Sequence, residues 1–112
     1  MDRALLPGAA VTAATRRVLA ELFAVTLSDT PYGGQARTYE ALGTVWLAPG
    51  PVRARQRSGP DGQRRIEGRR AMSAPDPRLT AGRVLAFEGA NWRIVAVATV
   101  RTDVELDLER LS

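Results

Sequence analysis

Arginine is the one chemically capable side chain that this sequence carries in quantity. All sixteen basic residues among the 112 are arginine, against twelve acids, for a net charge of +4. Nine of them fall in residues 50–83 beside only Asp61, Glu67 and Asp76, a local net of +6, whereas residues 1–49 balance and residues 84–112 carry −2. A guanidinium presents a planar fork of donors that matches phosphate or carboxylate oxygens, so anion recognition belongs in this middle segment. Arg53, Arg55 and Arg57 alternate and would share one face of an extended strand. Arg64, Arg65, Arg69 and Arg70 follow beyond a Ser-Gly-Pro-Asp-Gly stretch. Folded as a hairpin, the two sets make a basic projection able to contact a DNA backbone without reading its sequence. No aromatic residue lies among them to stack single-stranded bases. An all-arginine basic complement is also what G+C-rich coding produces, so composition alone does not decide for binding.

Catalysis has little to work with. The chain has no histidine and no cysteine, which removes the commonest general base near neutral pH, the commonest metal ligand, disulfides and thiolate sites. Glu105, Asp107 and Glu109 are spaced by two and line one strand face in a row, rather than converging from different elements. They read instead as an acidic outer strand, a candidate for contact with an arginine-bearing surface of a neighbouring subunit. Gly33-Gly34 and Gly59-Pro60-Asp61-Gly62 are turns, since neither joins a strand to a helix ahead of a lysine. Ser58 and Ser73 have no base to activate them. The expectation is a protein that is not an enzyme, with no cofactor and no metal.

The elements that must position these residues are strands. Val104, Leu106 and Leu108 alternate with the three acids, the period of a half-buried strand. Trp92 to Val100 alternates too, with Trp92, Ile94, Ala96, Ala98 and Val100 expected on one face. Val84 to Phe87 precedes it, joined through Glu88-Gly89-Ala90-Asn91. Upstream, Arg17 to Leu27 fits a strand with Leu19, Phe23 and Val25 on its face and Glu21 as the exception, or a helix with Val18, Leu19, Leu22 and Phe23 on its face; Val25-Thr26-Leu27 favours the strand. Asp29 to Gly34 is a dense turn cluster, and Arg37 to Ala48 holds a strand centred on Val45, Trp46 and Leu47. Pro49-Gly50-Pro51 kinks or ends it, and Val52 to Gln56 extends it past the kink. Residues 57–65 lack large apolar side chains and read as a long exposed loop, with a return strand over 65–73. Together these predict an all-β fold: one small antiparallel β-barrel over residues 17–112, with a long loop between its second and third strands. Residues 1–16 read as a flexible or short-helical N-terminal extension. The apolar run over residues 4–11 is too short and too broken for a signal peptide or membrane span, so no membrane partner is expected.

Three blocks, taken in order, resemble the phage head–tail joining family, the head-closure or stopper proteins of long-tailed phages and of phage-derived particles such as gene transfer agents. The first is Asp29-x-x-Tyr32-Gly33-Gly34 followed by Ala41 to Ala48 with its Trp46. The second is Leu79 to Val84, then Glu88-Gly89-x-x-Trp92-Arg93-Ile94-Val95-Ala96-Val97. The third is Glu105 to Glu109. The resemblance implies a structural subunit that rings with copies of itself, six in the family, beneath the portal and its adaptor ring. Such a ring closes the DNA exit channel and offers a platform to the tail terminator or tail tube. It also implies that the loop near 57–65 points at packaged double-stranded DNA, and that the protein sits in the neck of a particle assembled in the bacterial cytoplasm. The competing reading of the same residues is a stand-alone basic β-barrel that binds nucleic acid non-specifically.

Overall fold

A computed structural model describes residues 16–60 and 62–111, with the backbone alone at Arg57. The expectation for the N-terminal extension therefore lies, except for Arg16, outside the described residues. The described chain is strands joined by turns: β1 (Val18–Asp29), β2 (Gln35–Pro49), β3 (Arg53–Gly59), β4 (Gly62–Ser73), β5 (Val84–Phe87), β6 (Ala90–Val100) and β7 (Asp103–Arg110). They form one antiparallel sheet in the order β2-β1-β5-β6-β7-β4-β3, and a further β2–β4 pairing closes it on itself. The all-β antiparallel expectation holds, as a closed ring of strands with β3 outside the ring.

Closure gives the sheet an inside. Ala20, Leu22, Val45, Leu47, Ala71, Leu85, Trp92, Ile94, Leu106 and Leu108 are buried together there, with Leu79 from the 74–83 connection. β7 is the clearest case: Val104, Leu106 and Leu108 point inward, as their alternation requires. β6 departs from its simple alternation. A bulge leaves Val95 without a β7 partner, so Ile94 pairs with Leu108 but Ala96 pairs with Asp107. The parity flips, and Val97 and Thr99, not Ala96 and Ala98, lie beside Leu106 and Val104. β1 also differs. Ala20 and Leu22 enter the core, while Leu19 is 50% exposed beside Trp46, itself 57% exposed on β2.

The turns obey local backbone chemistry. The β5–β6 turn has positive φ at Glu88 (52°) and Gly89 (77°), the requirement of a tight two-residue hairpin connection. A glutamate is an unusual occupant of that conformation. Here its carboxylate is held by Arg69 at 3.0 Å and by Arg16 at 2.7 Å. The segment expected to be a loop is instead ordered ladder. β3 pairs with β4 from Arg53↔Gly68 to Gly59↔Gly62, leaving residues 60–61 as the connection. Low apolar content misdirects here, because a two-stranded ribbon is held by backbone hydrogen bonds and tolerates polar side chains on both faces.

The 74–83 connection is fastened by one arginine. Arg78 donates from Nη1 to the Leu42 carbonyl (2.8 Å) and from Nη2 to the Thr44 carbonyl (3.1 Å), and it pairs with Asp76 at 2.7 Å. The carbonyls it reaches flank Gly43, where Leu42 is the extra residue of a second bulge, on β2. Gly43 has φ +115°, and a Cβ there would stand 2.7 Å from the Arg78 Nη1. Gly43→Ala therefore forces both backbone strain and the loss of that contact, and is expected to lower stability by about 1–3 kcal/mol in urea denaturation. Hydrogen bonds from the Arg78 side chain, then from its backbone N–H, hold the Asp76 carboxyl below its usual value of 3.8. The stabilisation is thus fully present above that value and is lost as pH falls through the lower folded one. Asp76→Asn should flatten the decline in stability below about pH 4, measured by denaturation across an acid series.

Candidate nucleic-acid interface

The ring uses β4 only in part. Residues 68–73 pair with β7, from Gly68↔Glu109 to Ser73↔Val104, whereas residues 62–67 continue beyond β7 and pair with β3 alone. β3 packs against no strand but β4. The result is a two-stranded arm, exposed at Arg53, Arg55, Arg64 and Arg65. The molecule is correspondingly long, 66 × 34 × 26 Å.

Cross-strand partners share a face, so the register sorts the arginines. Arg53 and Arg55 lie on the side of Gly68, Ile66, Arg64 and Arg70, and Arg57 pairs with Arg64 in the ladder. Arg65 is on the opposite side, opposite Gln56. The face carrying Arg53 and Arg55 continues onto β7, where Asp107 pairs with Arg70 and Glu109 with Gly68. Gly68 is close-packed there: a Cβ would sit 3.2 Å from the Leu108 carbonyl oxygen. A groove of about 590 Å³ lies on this face, lined by Arg53, Arg55, Arg70, Asp107 and Pro51.

β7 is not an outer strand, because β6 and β4 flank it. Its acids face arginines of the same chain. Arg93 donates to Glu109 at 3.0 Å, with Glu109 only 8% exposed, and Arg70 approaches Glu105 at 4.0 Å. Asp107 has no ion pair among the described residues. Within the row Glu109 is thus paired inside the chain, Glu105 is only approached, and Asp107 stays open to other contacts.

Arg69 leaves the candidate set altogether. Its side chain points inward and is 10% exposed. Nε and Nη2 donate to the Gly50 carbonyl at 3.0 and 2.8 Å, and Nη1 donates to Glu88 at 3.0 Å. The guanidinium carbon lies 5.2 Å from the centroid of Phe87 and 5.3 Å from that of Trp92, which stack on each other. Such a desolvated cation–π contact contributes about 2 kcal/mol. Spacing gives no signal for this, because the large apolar residues of the strand, Ile66 and Met72, have the opposite parity, and the burial of Ala71 and Ser73 beside Arg69 follows from the closed sheet.

Three arginines outside the expected set join the surface. Arg37 of β2, Arg93 of β6 and Arg110 of β7 line a second groove, of about 740 Å³, together with Arg64 and Arg65. Arg110 pairs with Glu67 and Arg93 with Glu109, each at 3.0 Å. Spacing along the chain hides this cluster, since only the closed sheet brings β2 to the arm. Among the described residues no three His, Cys, Asp or Glu side chains gather as a metal site.

No family model matches the chain, and no curated protein does. A solved structure does: a chain of a structure described as the virion of a native gene transfer agent particle. It superposes with a TM-score of 0.60 at 20% identity, over 85% of this chain and 93% of that one. At that identity the likeness is one of fold.

The arm and the Arg69 latch separate experimentally. Arg69→Ala removes several charge-assisted hydrogen bonds from a nearly buried site and is expected to destabilise by about 2–5 kcal/mol, with Arg69→Lys recovering only part. Arg53→Ala and Arg65→Ala, on exposed ribbon, should stay within about 0.5 kcal/mol of the parent. Chemical denaturation of the four variants checks both statements.

Proposed function

We propose that this chain is a non-enzymatic structural subunit of a phage-like particle, forming a head–tail connector ring of the stopper or head-closure type. The observation that carries the reading is the basic arm. It is a two-stranded ribbon, outside the core, whose arginines are presented to solvent on both faces. In a ring of copies such arms would converge on the channel and meet the phosphates of the packaged duplex. The fold shared with a chain of a gene transfer agent virion supports a place in a particle of that kind; the position proposed for it is the neck, between an adaptor ring on the portal and the tail terminator or tail tube.

A ring also needs an interface to bury. The outer side of the β1–β2 ribbon carries two apolar pairs in register, Leu19 with Trp46 and Val25 with Tyr39, with Leu27 beyond them. Leu19, Leu27, Tyr39 and Trp46 are 47–57% exposed. A ribbon with an oily face turned to water favours association, and a ring forms where that face meets a different surface of the next copy, a head-to-tail contact that closes by rotation.

Electron-microscopic imaging of the native particle tests the proposal. The expected result is density for this fold as a ring at the neck with the 53–67 arms directed toward the lumen. Location in the capsid shell or tail fibre, or arms directed outward, contradicts it. Trp46→Glu with Leu27→Glu is expected to abolish incorporation into particles while leaving the folded chain intact by circular dichroism.

A further inference from the structure

The two arginine grooves are not equivalent, and the difference assigns the phosphate contact to one of them. In the groove on the Arg53 side, Arg53 and Arg55 lack ion pairs among the described residues, Arg70 is drawn to Glu105, and the unpaired Asp107 sits in the lining. The free charge there is two guanidinium groups against one carboxylate. In the other groove, Glu67 and Glu109 are each taken up by an arginine of the lining, Arg110 and Arg93. Arg37, Arg64 and Arg65 remain without ion pairs among the described residues. Three guanidinium groups without ion pairs, Arg37 on β2 and Arg64 and Arg65 on the two faces of the arm, thus border one concavity whose two carboxylates are both ion-paired.

We propose that this second groove, with Arg37, Arg64 and Arg65 as its ligating side chains, is the site that seats a nucleic-acid phosphate backbone. The proposal deepens the reading of the arm as a DNA-contacting element and rests on it, but it moves the contact from the alternating row on β3 to a surface completed by β2. The salt bridges Arg93–Glu109 and Arg110–Glu67 lie in its lining, so the two carboxylates there are already charge-compensated. A polyanion fits better than a small ion, because Arg64 and Arg65 on the two faces of β4 and Arg37 on β2 present a track rather than a single pocket. An acidic protein segment would satisfy the same charges, and the experiment separates the two.

The test is the binding of the full-length chain to a short mixed-sequence DNA duplex, by fluorescence anisotropy over a series of salt concentrations. Each phosphate contact contributes about 0.9 to the slope of log affinity against log salt. The triple variant Arg37→Ala, Arg64→Ala, Arg65→Ala is therefore expected to flatten the slope by about 2–3, and the double variant Arg53→Ala, Arg55→Ala by about 1 or less. All three residues are exposed, so circular dichroism and melting should match the parent. Equal slopes for the parent and the triple variant overturn the assignment, as does undetectable binding by the parent at the lowest salt. A triple variant that keeps its DNA affinity and loses binding to polyglutamate overturns it in favour of an acidic protein partner. This assay uses the isolated chain, so its failure is distinguishable from failure of the connector reading, which particle imaging decides.

Discussion

The whole arrangement turns on a short contact between β2 and β4. Only Ala48↔Met72 and Pro49↔Ala71 pair across that seam. Two ladder positions are too few to hold a sheet closed, and the chain reinforces them from both sides. The Gly50 N–H donates to the Arg70 carbonyl at 2.6 Å, and Arg69 returns to the Gly50 carbonyl from within. Arg69 then reaches across to Glu88, tying the seam to the β5–β6 turn on the far side of the ring. A buried arginine is tolerable because its donors are used and its face is covered by Phe87 and Trp92.

Because the seam is short, β4 is free to do something else along the rest of its length. Residues 71–72 close the ring, residues 68–73 pair with β7, and residues 62–67 stand beyond the body with β3. One strand therefore couples a small apolar core to a polar arm that contributes nothing to that core. This division explains how a segment so rich in arginine is accommodated. The arm's charges are outside the region where desolvation would be costly, and at its base Arg70 approaches Glu105 of β7.

Much of the ring was legible in the sequence. β7 reads directly because its acids mark the outer face at every second residue, with no bulge to break the count. The Glu88-Gly89 turn reads for a similar reason. β6 did not, since Val95, Ala96, Val97 and Ala98 are all small and apolar and nothing among them reports the parity change at the bulge. In β1 apolar residues occupy both faces, so Leu19 and Phe23 competed with Ala20 and Leu22, and the outer apolar face belongs to the same ambiguity. The outer part of the arm, residues 57–65, reads as a loop because composition reports the lack of a core-facing side, which a two-stranded ribbon does not require. The location of the arginines was legible, but their division was not. Whether an arginine is a latch, a partner of β7 or free for a ligand depends on register and closure, and those are properties of the assembled sheet.

Amide hydrogen exchange along β4 of the isolated chain tests this account most directly. A strand that is half ring and half arm should show strong protection at residues 69–73 and a steep drop N-terminal to Gly68, with β3 exchanging as fast as residues 62–67. Uniform protection from residue 62 to residue 73, or protection of β3 equal to that of β7, would mean the arm is packed into the core and would contradict it.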